Sequence, residues 1–211
     1  PRSGDRRLGY IPHMYPRELH EGGAYAEKDF TPMDTWEHNQ RQYVYDNNMA
    51  WLLGEFGHSN RAEGGVQFLE DAVNMLERNK IGWEYWDSSP GSWGPIAGDK
   101  VSDQPNAFAL INVYPRAVAG KIESYDFDRD LKTFTLKYRQ SEATGSTEIS
   151  MPPRFYPNGF EITSSDPAGS WSYYLDDVRN VLHIFHDAEQ QEHNFTIKAH
   201  ADSKQLVFKE L

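Results

Sequence analysis

Three short apolar runs each end on side chains that can do chemistry. Ala50-Trp51-Leu52-Leu53-Gly54 leads to Glu55, Leu8-Gly9-Tyr10-Ile11-Pro12 leads to His13 with Tyr15 beyond, and Ile81-Gly82-Trp83-Glu84-Tyr85 leads to Trp86 and Asp87. An ionised carboxylate at a strand end can act as a nucleophile toward a carbon such as the anomeric carbon of a sugar. The same carboxylate can instead be a structural acid that accepts loop N–H bonds. His13 and Tyr15 share a face if the strand continues through them. The tyrosine hydroxyl is then placed to orient a neighbouring carboxylate. The alternative is a tyrosine packed over the strand ends and a histidine bonded to backbone. Alternation puts Trp83 and Tyr85 on one face of their strand and Glu84 and Trp86 on the other. Trp86 can stack on the apolar face of a sugar ring, whereas Trp83 and Tyr85 read as core. Tyr10, Asp87 and Trp93, the last in the following loop, complete the candidate substrate contacts.

Two other clusters carry less. Asp126-Phe127-Asp128-Arg129-Asp130 resembles the start of a calcium loop but lacks the glycine and distal glutamate of an EF-hand, so it reads as a hairpin turn. His183, His186 and His193 fall on strand patterns and read as surface or inter-sheet residues rather than metal ligands.

The elements that must position these residues alternate. After the first apolar run comes a loop rich in Gly, Glu and Tyr over residues 18–30. A helix start follows at Thr31-Pro32-Met33-Asp34, with Thr31 to cap, Pro32 at the first helical position and Asp34 at the positive end of the dipole. The second run precedes a helix in which Val66, Leu69, Val73 and Leu76 recur at helical spacing, with Asn60 and Glu63 as a capping box. The third run precedes a Pro- and Gly-rich loop and a last helix over 105–113. Strand–helix repeated three times implies a parallel sheet with helices outside it. Three such units are too few to close a (β/α)₈ barrel. They correspond to its last three, with catalytic groups at the C-terminal strand ends. The first domain therefore spans residues 1–115. From residue 116 to 211 the pattern is one of short alternating strands separated by turns such as Pro157-Asn158-Gly159, which predicts an antiparallel β-sandwich.

Composition narrows the function classes. The chain has 211 residues, and its six Trp, twelve Tyr and eleven Phe indicate a packed globular protein. A net charge of -11 disfavours a phosphate-binding surface, so no nucleic-acid partner is expected. With no cysteine, disulfides and thiol chemistry are excluded. No apolar run is long enough to span a membrane. The polar, basic start from Pro1 to Leu8 is not a signal peptide, and the chain is expected to begin inside a longer polypeptide.

With these residues in place, the chain resembles the retaining (β/α)₈ glycosidases of glycoside hydrolase family 5. The family carries His-x-Tyr, a nucleophilic Glu and a Trp at the ends of its last three strands. His13-Met14-Tyr15, Glu55 and Trp86 match that set in order. The resemblance is closer to the endoglycoceramidases, through Gly54-Glu55-Phe56-Gly57, Gly82-Trp83-Glu84-Tyr85-Trp86-Asp87, Tyr114-Pro115-Arg116-Ala117-Val118-Ala119-Gly120 and Phe155-Tyr156-Pro157-Asn158-Gly159-Phe160. It implies hydrolysis of the β-glycosidic bond between an oligosaccharide, or galactose, and ceramide in glycosphingolipids. It also implies a secreted bacterial enzyme without cofactor or metal, and peripheral contact with lipid micelles or membranes.

One departure matters. The family's general acid/base is a Glu that follows Asn, and no Asn-Glu pair occurs in this chain. Retaining hydrolysis needs two carboxyl groups about 5–5.5 Å apart. The expected partner is thus a preceding N-terminal half of the same protein, supplying five strands and the second carboxyl. Alone, this chain is expected to be inactive. Two rival readings are another family 5 β-glycosidase, acting on β-glucans or on steryl or simple β-glucosides, and a non-catalytic glycan- or lipid-binding protein.

Overall fold

The computed structural model describes residues 8–20, 24–25 and 31–201. They form two compact units, divided between Ile111 and Asn112. The division falls before the sequence boundary at 115/116. Tyr114 and Pro115 pair with Ser150 and Ile149 and so belong to the second unit's sheet.

The first unit is built on parallel strands. β1 (Gly9–Tyr10) and β2 (His13–Met14) lie along one edge of β3 (Ala50–Phe56), and β4 (Gly82–Tyr85) also pairs with β3. The first strand is broken at Ile11-Pro12. Pro12 has no N–H to give, but its carbonyl accepts the Gly54 N–H at 2.9 Å and keeps the two pieces on one edge. Among the described residues, neither β1–β2 nor β4 pairs with a further strand. Parallel sheets normally lie inside a larger α/β layer.

The helices are α1 (Arg17–His20), α2 (Thr31–Asn47), α3 (Gly65–Arg78) and α4 (Pro105–Leu110). Part of the 18–30 stretch expected as loop is thus helical, and the rest lies partly outside the described residues. So does the side chain of Thr31. α3 buries Phe68, Leu69, Ala72, Val73, Met75 and Leu76 along one stripe against Leu53 and Phe56 of β3. It ends with Lys80 in the left-handed region (φ 56°), the Ile81 N–H on the Leu76 carbonyl and the Lys80 N–H on the Glu77 carbonyl. That C-terminal motif turns the chain directly into β4. The capping box does not form. The residue preceding α3 is Gly64 at φ 71°, with no side-chain cap, and Asn60 is engaged elsewhere.

The second unit holds β5 (Tyr114–Ala117), β6 (Gly120–Asp128), β7 (Thr133–Gln140), β8 (Thr147–Ser150), β9 (Phe160–Ser164), β10 (Ser172–Asp176), β11 (Val181–Phe185) and β12 (Glu192–Ala199). They make two four-stranded antiparallel sheets, in the orders β10-β11-β8-β5 and β6-β7-β12-β9. Phe134, Leu136, Phe195 and Ile197 of one sheet and Ile149, Leu182 and Ile184 of the other share one buried cluster. The Asp-rich turn closes the β6–β7 hairpin: Asp128 accepts the Leu131 N–H at 2.8 Å. The three histidines are also placed by packing. His183 stacks on Tyr174, His186 bonds Tyr138, and His193 is fully buried against Asp166.

Candidate active site

Glu55 lies near the C-terminal end of β3, where a regular strand would have pointed it the wrong way. Trp51 and Leu53 both face the helices and belong to the first unit's core. Side chains alternate along a strand, so Glu55 would follow them into that apolar layer. Instead Phe56 takes the next core position. The cause is one extra residue in β3. Leu53 pairs with Trp83 and Phe56 with Tyr85, three steps along β3 against two along β4. On the other edge Tyr10 pairs with Trp51 and His13 with Glu55, three steps against four. The bulge falls at Gly54-Glu55 and re-aims the carboxylate out of the core.

Two side chains from the neighbouring edge then meet the carboxylate. The Tyr15 hydroxyl donates to Glu55 Oε2 at 3.1 Å, and His13 Nδ1 lies 3.3 Å from the same oxygen. Among the described residues, Glu55 Oε1 has no hydrogen-bond partner. The carboxylate is thus oriented through one oxygen while the other stays available. Burial, the hydrogen bond and the adjacent Glu55 charge push the Tyr15 phenol well above its ordinary value, so it remains a donor. The Glu55 side chain is 31% exposed and that of His13 51%. A cavity of about 160 Å³ adjoins His13 and Tyr15, with Met33 and Trp36 also in its lining.

The other side of β3 carries the aromatic groups. Trp86 is 52% exposed, and its backbone N–H donates to the Phe56 carbonyl at 2.9 Å. Trp83 and Tyr85 pack edge-on against Phe56, as core residues. The Asp87 charge contributes to the rise of the Tyr15 and Tyr85 phenols, and Ser89 Oγ donates to its carboxylate at 2.7 Å. Trp93 stacks on His58, with centroids 6.1 Å apart and planes 12° from parallel, so one ring face is covered.

Tyr10 does not join this group. It precedes the break at Ile11-Pro12 and sits beside Trp51, at the far end of β3. Its hydroxyl donates to Gln40 at 2.7 Å and its ring packs on Tyr43. Tyr10 is therefore a contact between β1 and α2 rather than a substrate residue. A larger groove of about 860 Å³ also lies apart, along α2 and the end of α3. It surrounds the Glu37–Arg78 ion pair and contains no predicted site residue.

Two glycines also shape the site. A Cβ on Gly54 would stand 2.5 Å from Ile11 Cγ2 and 3.2 Å from the His13 ring. One on Gly57 would stand 2.0 Å from the Trp86 carbonyl oxygen and 3.2 Å from the Trp93 ring. The string Gly54-Glu55-Phe56-Gly57 thus lets both neighbouring strand ends close on Glu55.

Comparison with known proteins gives the same direction. Residues 1–92 match the cellulase domain of glycosyl hydrolase family 5, and residues 113–198 match the glycoside hydrolase family 5 C-terminal domain. The chain belongs to glycoside hydrolase family 5. It is 29% identical over 116 residues to endoglycoceramidase I of Rhodococcus hoagii (strain 103S), covering 54% of this chain and 21% of that protein. Solved structures of endo-glycoceramidase II from Rhodococcus sp. match with TM-scores of 0.79. The complex with a five-membered iminocyclitol is 25% identical and the ganglioside GM3 complex 26%; both matches cover 95% of this chain, and 45% and 44% of the respective solved chains. Cryptococcus neoformans sterylglucosidase 1 shares the fold, with a TM-score of 0.63 at 15% identity over 81% of this chain and 32% of that one. The chain spans less than half the length of these relatives. The family's fold is a TIM-barrel glycosidase with a C-terminal domain.

Proposed function

We propose that this family 5 chain is the C-terminal portion of a retaining glycosidase that releases the oligosaccharide, or galactose, from ceramide in glycosphingolipids. The first unit supplies the last three β/α units of the barrel, and the second is a β-sandwich. The remaining strands and the acid/base glutamate come from a segment of the same protein outside this chain. The observation that carries the reading is Glu55, held through one oxygen by Tyr15 and His13 at the C-terminal end of the central parallel strand.

In the proposed reaction Glu55 attacks the anomeric carbon of the sugar joined to ceramide. The second carboxyl group protonates the leaving oxygen, and a glycosyl ester forms on Glu55. The same group then takes a proton from water, which releases the sugar with net retention. Tyr15 orients Glu55, and Trp86, half exposed at the next strand end, stacks on the sugar. The similarity to endo-glycoceramidase II, one of whose structures holds ganglioside GM3, supports a glycosphingolipid substrate. The secreted, lipid-facing setting follows from the resemblance alone and belongs to the proposal.

Sterylglucosidase shares the fold, so a steryl β-glucoside is the second reading. The full-length protein would be incubated with a glycosphingolipid, a steryl glucoside and a cellulose oligomer, with Glu55→Ser in parallel. Oligosaccharide release from the glycosphingolipid, lost in the variant, is expected. Release only from one of the other two would move the substrate class, and hydrolysis retained by Glu55→Ser would overturn the role of Glu55.

A further inference from the structure

A second cluster of polar side chains lies on the β4 side of β3, away from Tyr15 and His13, and the reaction above does not use it. At its centre is Asn106 in α4, fully buried. Its Nδ2 donates toward three acceptors: the His58 carbonyl at 2.7 Å, the Tyr85 hydroxyl at 2.8 Å and the Trp93 carbonyl at 3.1 Å. Each acceptor belongs to a different segment of the site. His58 follows Glu55 on the exit from β3, Tyr85 precedes Trp86, and Trp93 lies in the loop between β4 and α4. Tyr85 closes the ring by donating to the Trp93 carbonyl at 2.6 Å.

Two further amides extend the clasp. Asn60 Oδ1 accepts the Asn106 N–H at 2.8 Å, and Asn60 Nδ2 donates to the Ser92 and Gly94 carbonyls at 2.9 and 2.8 Å. Gln104 Nε2 reaches the Gly91, Gly94 and Ile96 carbonyls. A loop rich in Gly and Pro has no regular ladder of its own, so these side chains satisfy its carbonyls and set its path. Among the described residues, Asn106 Oδ1 is buried without a hydrogen-bond partner.

We propose that Asn106 is a positioning residue for the sugar site. Its amide fixes the loop that carries Trp93 against the strand ends that carry Glu55 and Trp86. This rests on the glycosidase reading above and adds residues that set substrate affinity rather than bond cleavage. The contacts to Glu55 come from the opposite edge of β3, so loosening the clasp leaves the carboxylate oriented. Loss of the clasp therefore acts on KM.

The test uses the full-length protein with Asn106→Ala and Asn60→Ala, assayed on a glycosphingolipid. The expected result is a KM raised by about 10-fold or more, within the scale of misplaced substrate contacts. The maximal rate should stay within about threefold of the parent, and acrylamide should quench tryptophan fluorescence more strongly. Asn60 is only partly buried and lies in a loop, so Asn60→Ala carries the test if Asn106→Ala does not fold. Parent KM and parent quenching in a folded variant would overturn the clasp. A fall in maximal rate at unchanged KM would overturn it as well. Glu55→Ser, run alongside, separates the two claims: if it hydrolyses like the parent, the glycosidase reading fails, whatever the clasp variants show.

Discussion

Among the described residues, each unit holds a histidine–carboxylate pair, and the two are built to opposite ends. In the second unit His193 Nδ1 lies 2.9 Å from Asp166 Oδ1 and 3.0 Å from Oδ2, with both side chains fully buried. The second Asp166 oxygen also accepts the Asp187 N–H at 2.9 Å. Both oxygens are occupied and no face is open to a ligand. In the first unit His13 and Tyr15 meet one oxygen of Glu55, and the side chains are 51% and 31% exposed for His13 and Glu55. The same residue types make a staple when closed on all sides and a candidate nucleophile when held on one side only. A carboxylate's accessible oxygen separates the two better than its residue type or its proximity to a histidine.

The two pairs should differ most in what their carboxylates do when removed. In the full-length protein Glu55→Ser should lower the hydrolytic rate on the order of 10⁴-fold or more, the scale of removing a nucleophile, with little change in the thermal midpoint. Asp166→Ala should do the reverse. It strands the buried His193 and Asp187 donors, so chemical denaturation should show a loss of about 3 kcal/mol or more, while rates measured on the folded fraction stay near the parent's. Equal activity losses in both variants would erase the distinction.

Tyr15→Phe is the finer probe. It removes a hydrogen bond to a charged group and leaves the ring, so a fall of about 10- to 100-fold in the maximal rate is expected at similar KM. An unchanged rate would reduce Tyr15 to packing.

The smallest effect concerns pH. His186 stacks on His193, with ring centroids 4.2 Å apart, and bonds the Tyr138 hydroxyl at 2.9 Å. Burial pushes the Tyr138 phenol up to about 12, so it stays protonated near neutral pH. Burial first, and then the neighbouring His193, hold His186 below its ordinary 6.5, with Asp166 and Asp187 opposing. Above pH 6.5 the group is neutral in both folded and unfolded chains and adds no slope. Below it, the unfolded chain takes up a proton that the folded chain resists, so stability falls as pH drops through 6.5 toward the depressed value. Denaturation midpoints across this range should decline toward acid, and His186→Phe should flatten that decline. A parent-like decline in the variant would assign the slope to other groups.

Much of the first unit could be read from one sequence because buried parallel strands are continuous apolar runs and α3 keeps a helical period. The ends of those runs named His13, Glu55 and Trp86. What could not be read depends on contacts between distant segments. Period-two alternation would send Glu55 into the layer of Trp51 and Leu53, and only pairing on both edges reveals the bulge. Asn60 and Glu63 fit a local capping pattern, but the Ser92 and Gly94 carbonyls and the Asn106 N–H compete successfully for Asn60. Pro115 read as the end of a domain, yet it lies in β5, an edge strand where a missing N–H is tolerated. Tyr10 shares a run with His13, but the interruption at Ile11-Pro12 separates their surroundings. Asp166 and His193 stand 27 residues apart, and no spacing rule joins them.

A nucleophilic Glu55 forms a covalent bond to the sugar during turnover. The most direct measurement is to incubate the full-length protein with a 2-deoxy-2-fluoro glycoside bearing a good leaving group, digest it and map the adduct by mass spectrometry. The expected adduct is a single fluorosugar ester on the peptide containing Glu55. An ester on another carboxylate, or turnover of the natural substrate with inversion and no adduct, would rule out Glu55 as the nucleophile.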